Sequence, residues 1–161
     1  MGLAGGLSIS DNVLLRSLGE TRGIFLNGKK NELRARGIIG KYEISAAGPG
    51  QPVKDLSGGN IQKVLLGREL EREPDFLITA YPTRGLDIGA ENFVYEMLNQ
   101  AKARGIGILF IGEDLDVLMN LCDRISVLHA GHLMGTVDAR AVTKDRLGLM
   151  MTGSAGEGAY A

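Results

Sequence analysis

The chain is poor in the features that mark secreted, membrane-spanning and nucleic-acid-binding proteins. Cys122 is the one cysteine among 161 residues, which excludes an internal disulfide and is typical of a reducing cytosol. No run of about 18 apolar residues could span a bilayer, and the first residues lack the charged and apolar segments of a signal peptide. The 18 basic and 19 acidic residues give a formal net charge of −1, without the basic excess typical of nucleic-acid binding. We therefore expect a soluble cytoplasmic protein with no nucleic-acid partner.

What the chain does contain is a hydroxyl and two glycines at the entry to a predicted helix, in the stretch LSGGNIQK over residues 56–63. Backbone N–H groups in the first helical turn have no partner inside the helix, and the helix dipole favours an anion there. Gly58 and Gly59 would let a phosphate approach these groups closely. Ser57 can either cap the helix or hold a phosphate oxygen, and these residues alone leave both interpretations open.

Short apolar segments alternate with amphipathic ones through the rest of the chain. This alternation favours an α/β fold in which helices pack on a parallel sheet. The predicted strands cover residues 76–80 and 106–111, and a closing hairpin is predicted over 124–128 and 132–137. Helices are predicted from about residue 10 and over 30–42, 61–72, 89–104, 114–121 and 143–151.

A second distinctive segment, PTRGLDIGA over residues 82–90, follows the strand predicted at 76–80. The order of LSGGN, helix, strand and PTRGLD resembles the C-terminal half of an ABC transporter ATP-binding domain. It is most similar to the second nucleotide-binding domain of the tandem ATPases that power simple-sugar and nucleoside importers. The resemblance runs from about Gly6 to Gly153.

This resemblance implies a partial P-loop NTPase (ABC ATPase) fold, with a mostly parallel sheet, helices and an N-terminal helical subdomain. We expect that subdomain to cover residues 1–55 and the C-terminal part of the ATPase core to cover residues 56–153. Residues 154–161 are rich in Gly and Ala, and we expect them to form a flexible tail. Without the strands that precede this region in the family, the sheet should expose an apolar edge or face.

The resemblance also shows which catalytic parts are missing. The near match to a phosphate loop at residues 23–30 has Lys30 where a magnesium-binding Ser or Thr belongs, and it lies too close to the signature, so we interpret it as a loop. On alignment at PTRGLD, Ala80 and Tyr81 replace the magnesium-shell aspartate and the catalytic glutamate of the family. Glu113 replaces the switch histidine, and Asp114 is better explained as a helix cap. We assign no catalytic residue or metal ligand and expect no ATPase activity from the chain alone.

The motifs that do match the family are those that act on a partner domain. In the resembled family two domains pair head to tail, and the signature of one covers ATP held by the phosphate loop of the other. This implies a cofactor-binding set that contacts ATP in trans, with Mg on the partner domain: Ser57, Gly58, Gly59, Asn60 and Asp87. Within this set Asn60 is a supporting residue of the signature helix. Asp87 matches an interface loop of the family, but it could equally cap the following helix.

Two functions follow from these observations. The first is a truncated or split ATP-binding subunit of an ABC importer for simple sugars or nucleosides, peripheral at the inner face of the cell membrane. Its partners would be another ATP-binding domain, in a homo- or heterodimer, and transmembrane permease subunits. The alternative is a non-catalytic interaction module or decayed fragment that binds no nucleotide.

Overall fold

A computed structural model describes residues 2–17 and 28–154 of the chain. Within these residues six α-helices and four strands follow one another in the predicted order. The helices are α1 (Ile9–Ser17), α2 (Gly28–Lys41), α3 (Gly58–Leu70), α4 (Ile88–Ala103), α5 (Leu115–Leu121) and α6 (Lys144–Met151); the strands are β1 (Phe76–Ala80), β2 (Gly107–Ile111), β3 (Arg124–His129) and β4 (His132–Asp138).

The predicted elements are confirmed, with small shifts at their ends. The largest shift is at α3, which begins three residues earlier than predicted because Ser57 caps it. Helix α1 also starts slightly earlier than predicted, at Ile9, because Ser8 caps it. The Oγ of Ser8 accepts from the N–H of Asp11 at 3.0 Å, and the Ser8 N–H donates to Asp11 Oδ2.

The described chain divides into two compact units. One comprises the residues up to Leu77 together with Pro82–Leu109, and the other comprises Ile78–Tyr81 together with the residues from Phe110 onward. β1 and β2 each begin in the first unit and end in the second. The predicted boundary at residues 55/56 stays a prediction, and most of the predicted tail, residues 155–161, lies outside the described residues.

Helices α1 to α4 form the core of the first unit. Asn12 is fully buried in it, and its side-chain amide bonds to main-chain atoms on both sides of a turn. Its Oδ1 accepts from Ala4 N at 2.8 Å, and its Nδ2 donates to Ala4 O and Ser8 O at 3.0 and 2.9 Å. These bonds join the N-terminal segment to α1. They also satisfy the polar atoms of the Asn12 amide, as burial requires. The largest fully buried apolar side chains of this core are Ile9, Ile38, Val53, Val64, Leu70, Val94 and Leu98.

β1 and β2 form a parallel pair joined by α4. At one end Gly107 N donates to Asp75 O at 3.0 Å, and at the other Tyr81 N donates to Ile111 O at 2.8 Å. Both strands therefore run in the same direction, with α4 as the crossover connection, and the predicted α/β fold with parallel strands is confirmed.

The second unit contains the predicted antiparallel hairpin of β3 and β4. Its register runs from Arg124 opposite Asp138 to His129 opposite His132. The two turn residues, Ala130 and Gly131, have φ values of 48° and 83°, which suit the tight turns that join twisted strands. Side chains of the hairpin pack with α6 in a small core of Ile125, Val127, Ala139, Leu147 and Met150.

Glu69 on α3 accepts hydrogen bonds from two arginines. Its Oε2 lies 2.8 Å from Arg16 Nε and its Oε1 lies 2.6 Å from Arg68 Nη2. Burial raises the pKa of this carboxyl, but the hydrogen bonds and charges of Arg16 and Arg68 together outweigh burial and leave the pKa below its usual value. The folded state therefore favours the ionised form, so this stabilisation is complete above the unfolded pKa and is lost as the pH falls through the lower folded pKa.

We expect Glu69→Gln to lower the free energy of unfolding by about 0.5–1.5 kcal/mol at pH 7, because it removes a partly buried charged acceptor. Urea denaturation from pH 7 down to pH 4 should show the difference from the native chain shrinking at the acid end. The matched control is Glu71→Gln, which breaks only the 3.4 Å pair with Lys41 and should cost less than about 0.5 kcal/mol. A Glu69→Gln effect that is equal at both ends of this pH range would contradict the expectation.

Candidate functional site

The signature residues form the N-terminus of α3. Ser57 is the N-cap, and its Oγ accepts from Asn60 N at 3.4 Å and from Asn60 Nδ2 at 2.9 Å. Asn60 Oδ1 in turn accepts from Ser45 N at 2.9 Å, which ties the helix start to the preceding loop. The cap interpretation of Ser57 is therefore confirmed, and Asn60 has the supporting position predicted for it.

Capping leaves hydrogen-bond donors free at this helix end. Both bonds to Ser57 Oγ come from Asn60 as donor, so the hydroxyl proton of Ser57 is not used by them. The N–H groups of Gly58 and Gly59 have no acceptor among the residues that the structure describes. Ser57 and Gly58 are exposed, and the chain N-terminal to them approaches in extended conformation. Three donors thus lie at the positive end of a helix, where an anion is stabilised.

α3 lies directly against α4 at this end. A Cβ on Gly59 would come within 2.6 Å of the Ala90 Cβ, so no side chain fits there. Further along, Lys63 Nζ lies 3.7 Å from the centre of the Phe93 ring, a close cation–π contact. The first contact joins residue 59 to residue 90, and the second joins residue 63 to residue 93. Both helices therefore run side by side in the same direction. Their N-termini therefore lie at the same end.

The N-terminus of α4 is capped by Asp87. Its Oδ1 accepts from Ala90 N at 2.9 Å. In the preceding loop Leu86 N donates to Thr83 O at 3.0 Å, and Gly85 has a φ of 79°, which glycine adopts without strain. The cap interpretation of Asp87 is confirmed, and its interface role stays a prediction. Because α3 and α4 start together, the structure brings the LSGGN and RGLD segments to one place.

Ile88 was not predicted as a site residue. It follows Asp87 directly, and 77% of its surface is exposed. A single exposed apolar side chain is common on protein surfaces, so Ile88 is of interest only for its position beside Asp87. A signal was present in the sequence, because Ile88 lies outside the helical repeat of apolar residues formed by Val94, Met97, Leu98 and Ala101.

The strand ends of the second unit lack the family's carboxylates. Ala80 ends β1, and Tyr81, which follows the strand, has a left-handed φ of 49°. Glu113 is exposed at the end of β2. Asp114 accepts from Asp116 N and Val117 N at 2.9 and 3.2 Å, which confirms it as the cap of α5.

The other sequence predictions have the following outcome. Of the near match to a phosphate loop at residues 23–30, only residues 28–30 are described, and they begin α2. The described residues include no group of three or more His, Cys, Asp or Glu side chains placed to hold a metal ion. None of the described helices is long and apolar enough to cross a membrane.

Comparison with solved structures identifies the fold as that of an ABC transporter ATPase domain. An ATP-binding cassette solved as a dimer with ADP and phosphate superposes with a TM-score of 0.71 at 23% identity, over 87% of this chain and 60% of that one. A metal-chelate type ABC transporter in an inward-facing conformation gives a TM-score of 0.78 at 15% identity, over 92% of this chain and 59% of that one. No family model matches the sequence.

Among proteins of known function the chain is similar to import ATP-binding proteins. It is 38% identical over 157 residues to the guanosine import ATP-binding protein NupO of Bacillus subtilis and 36% identical over 155 residues to the nucleoside import ATP-binding protein NupA of Lactococcus lactis. It is 34% identical over 160 residues to the ribose import ATP-binding protein RbsA 2 of Rubrobacter xylanophilus. The chain is thus similar to import ATP-binding proteins over at least 94% of its own length, and it spans 31% of the length of each of these three.

The contact between α3 and α4 predicts different outcomes for two neighbouring glycines. Gly59→Ala should lower the melting temperature by several degrees, because its methyl group would lie 2.6 Å from Ala90 and force the helices apart. Gly58→Ala is the matched control, since its methyl group would meet Leu86 at an ordinary 3.5 Å. Thermal unfolding followed by circular dichroism measures both. Equal melting temperatures for the two variants would contradict the packing described.

Proposed function

We propose that the chain is part of the ATP-binding subunit of an ABC importer for simple sugars or nucleosides. It corresponds to the C-terminal part of a second nucleotide-binding domain. Its role is to complete an ATP site whose phosphate loop belongs to a partner domain. The relatives support this class of solute through their names, which specify guanosine, nucleoside and ribose import.

The observation that carries the proposal is the set of free donors at the start of α3. The Ser57 hydroxyl and the Gly58 and Gly59 N–H groups lie at a positive helix end, where the γ-phosphate of ATP would be stabilised. Capping and phosphate binding are compatible, because Ser57 Oγ accepts from Asn60 while its own proton remains available. ATP supplies the phosphoryl group, and Mg would be held by the partner domain.

The residues at the end of β1 support binding in trans. Ala80 and Tyr81 cannot hold hydrated magnesium or accept a proton from water, and no lysine-bearing phosphate loop is recognisable in the sequence. Asp87 carries a negative charge, so we assign its free carboxylate oxygen to the partner protein instead of the phosphate. The exposed Ile88 beside it would be covered in the same contact.

The partners then follow from the class of protein. The ATP-binding domain would pair with a related domain, as a homo- or heterodimer, and the pair would lie against transmembrane permease subunits at the cytoplasmic face of the membrane. The similarity to an ATP-binding cassette solved as a dimer and to an ABC transporter supports this arrangement.

The test is Gly58→Glu in a complex reconstituted with an ATP-binding domain that has an intact phosphate loop. The new carboxylate would lie where the γ-phosphate is proposed, so hydrolysis should fall at least about tenfold. Ser57→Ala removes one hydroxyl contact and should lower hydrolysis by about two- to tenfold. It should also cost about 0.5–2 kcal/mol of stability, because the cap is lost. Phosphate release and melting temperature are measured for each variant.

Gly37→Glu is the matched control for added charge and bulk, because a side chain at Gly37 on α2 meets nothing within 4 Å. It should leave hydrolysis unchanged. The chain without its partner should release no phosphate. If the Gly58→Glu protein is folded and bound to its partner but hydrolysis is unaltered, the composite site is wrong, and the interaction module becomes the better explanation.

A further inference from the structure

Three side chains at the start of α4 form a hydrogen-bonded network that the proposed ATP contacts do not use. The Tyr95 hydroxyl, two turns into α4, donates to Glu91 Oε1 at 2.5 Å. The same hydroxyl oxygen lies 3.1 Å from Thr83 Oγ1, which is within hydrogen-bond distance. Thr83 precedes the helix and belongs to the PTRGLD segment, 12 residues before Tyr95. The network of Thr83, Glu91 and Tyr95 therefore joins this loop to α4.

The carboxylate of Glu91 sets the direction of the network. A carboxylate accepts hydrogen bonds and donates none, so the single proton of the Tyr95 phenol is used in the bond to Glu91. Thr83 is then the donor in the second bond, and the phenol oxygen accepts. Both bonds run towards the carboxylate, an arrangement in which each bond strengthens the other. All three side chains are only partly exposed, so water competes with these bonds less than at an open surface.

The loop that follows Thr83 is held at both of its ends. Asp87 fixes the far end by capping α4. Within the loop Leu86 N donates to Thr83 O at 3.0 Å, and Gly85 has a φ of 79°. The bond between Thr83 and Tyr95 fixes the near end. The conformation of the RGLD segment is thus set by α4 of the same chain.

Tyr95 contributes little to the core of α4. The buried residues of this helix are Val94, Met97, Leu98 and Ala101, and Tyr95 lies off their face. A side-chain pair four residues apart on a helix, such as Glu91 and Tyr95, adds only a little to the stability of the helix. The main consequence of the network is therefore the conformation of the loop.

The network also lies on the side of α4 that carries Ile88. Ile88, Glu91 and Tyr95 follow one another at spacings of three and four residues, which places them on one face of the helix. Ile88 and the neighbouring Asp87 are the residues that the proposed function assigns to the contact with the partner domain. The network therefore connects the loop to the helix on the face that would meet the partner.

We propose that Tyr95 is a positioning residue for hydrolysis at the composite ATP site. Tyr95 and Glu91 hold Thr83, and Thr83 fixes the turn that presents Asp87 to the partner domain. This inference rests on the proposed function, because it assumes that Asp87 meets the partner. Tyr95 itself contacts neither ATP nor the reacting atoms. Its loss should slow hydrolysis in the assembled complex and leave the binding of ATP close to native.

The experiment places Tyr95→Phe in the complex reconstituted with an ATP-binding domain that has an intact phosphate loop. Phenylalanine keeps the ring and removes only the hydroxyl. The kcat per assembled complex should fall about three- to tenfold, while KM for ATP should change by less than about twofold. Thr83→Val should give the same loss, whereas Thr83→Ser keeps a hydroxyl and should hydrolyse ATP at the native rate. The double variant Tyr95→Phe/Thr83→Val should be no slower than either single variant, because both substitutions break the same bond.

Hydrogen exchange of the loop gives a measurement that does not depend on activity. In the complex without nucleotide the Leu86 N–H, which is bonded to Thr83 O, should exchange about three- to tenfold faster in Tyr95→Phe than in the native chain. Tyr42→Phe is the matched control. The Tyr42 hydroxyl is buried and has no hydrogen-bond partner in the described part of the chain. Its removal should change neither hydrolysis nor the exchange of Leu86.

The Gly58→Glu variant separates this proposal from the composite site. A native kcat for Tyr95→Phe beside a slowed Gly58→Glu would overturn the positioning role and leave the composite site in place. Native rates for both variants would reject the composite site and the positioning role together. Unchanged exchange of Leu86 in Tyr95→Phe would overturn the proposal whatever the rates are. So would a loss of hydrolysis that disappears once the rate is divided by the amount of assembled complex. Thr83→Val is subject to the same criteria if Tyr95→Phe does not assemble.

Discussion

The close approach of α3 and α4 at Gly59 and Ala90 is the constraint on which the candidate site depends. A side chain at residue 59 would not fit, and the contact between Lys63 and Phe93 keeps the helices together one turn further on. Two positive helix ends therefore lie side by side, each capped by its own side chain, Ser57 or Asp87. Neighbouring helix ends of the same sign repel each other, and an anionic ligand with a partner surface would relieve that repulsion.

Most of the fold was predictable because its signals are local. β1 was predicted to the residue, since the apolar stretch FLITA is bounded by Pro74-Asp75 and by the PTRG turn. The start of α3 was predicted three residues late, because Gly58 and Gly59 are poor helix formers and only the capping bonds of Ser57 show that they are helical. The cap at Asp114 was predicted, whereas for Ser57 and Asp87 the sequence could not decide between capping and other roles.

The features that escaped prediction are tertiary. The sequence explained the glycine at position 59 only by the close approach of a phosphate. The structure shows that the contact between α3 and α4 at Ala90 also requires a glycine there. The bond from Ser45 N to Asn60 joins residues 15 apart in the sequence, and no local pattern reveals it. The exposure of Ile88 depends on which face of α4 meets α3. These contacts join residues that are distant in the sequence, so a local sequence pattern cannot predict them.

The composite ATP site can be tested most directly at the backbone amides of Gly58 and Gly59. Heteronuclear NMR of the labelled chain, bound to a phosphate-loop domain, would compare the complex without nucleotide, with Mg-ADP and with a non-hydrolysable Mg-ATP analogue. We expect the Gly58 and Gly59 resonances to shift with the ATP analogue and much less with ADP, because only ATP carries the γ-phosphate, while Gly37 on α2 stays unchanged. Identical Gly58 and Gly59 resonances in all three states of an intact complex would contradict a role for the signature in binding ATP.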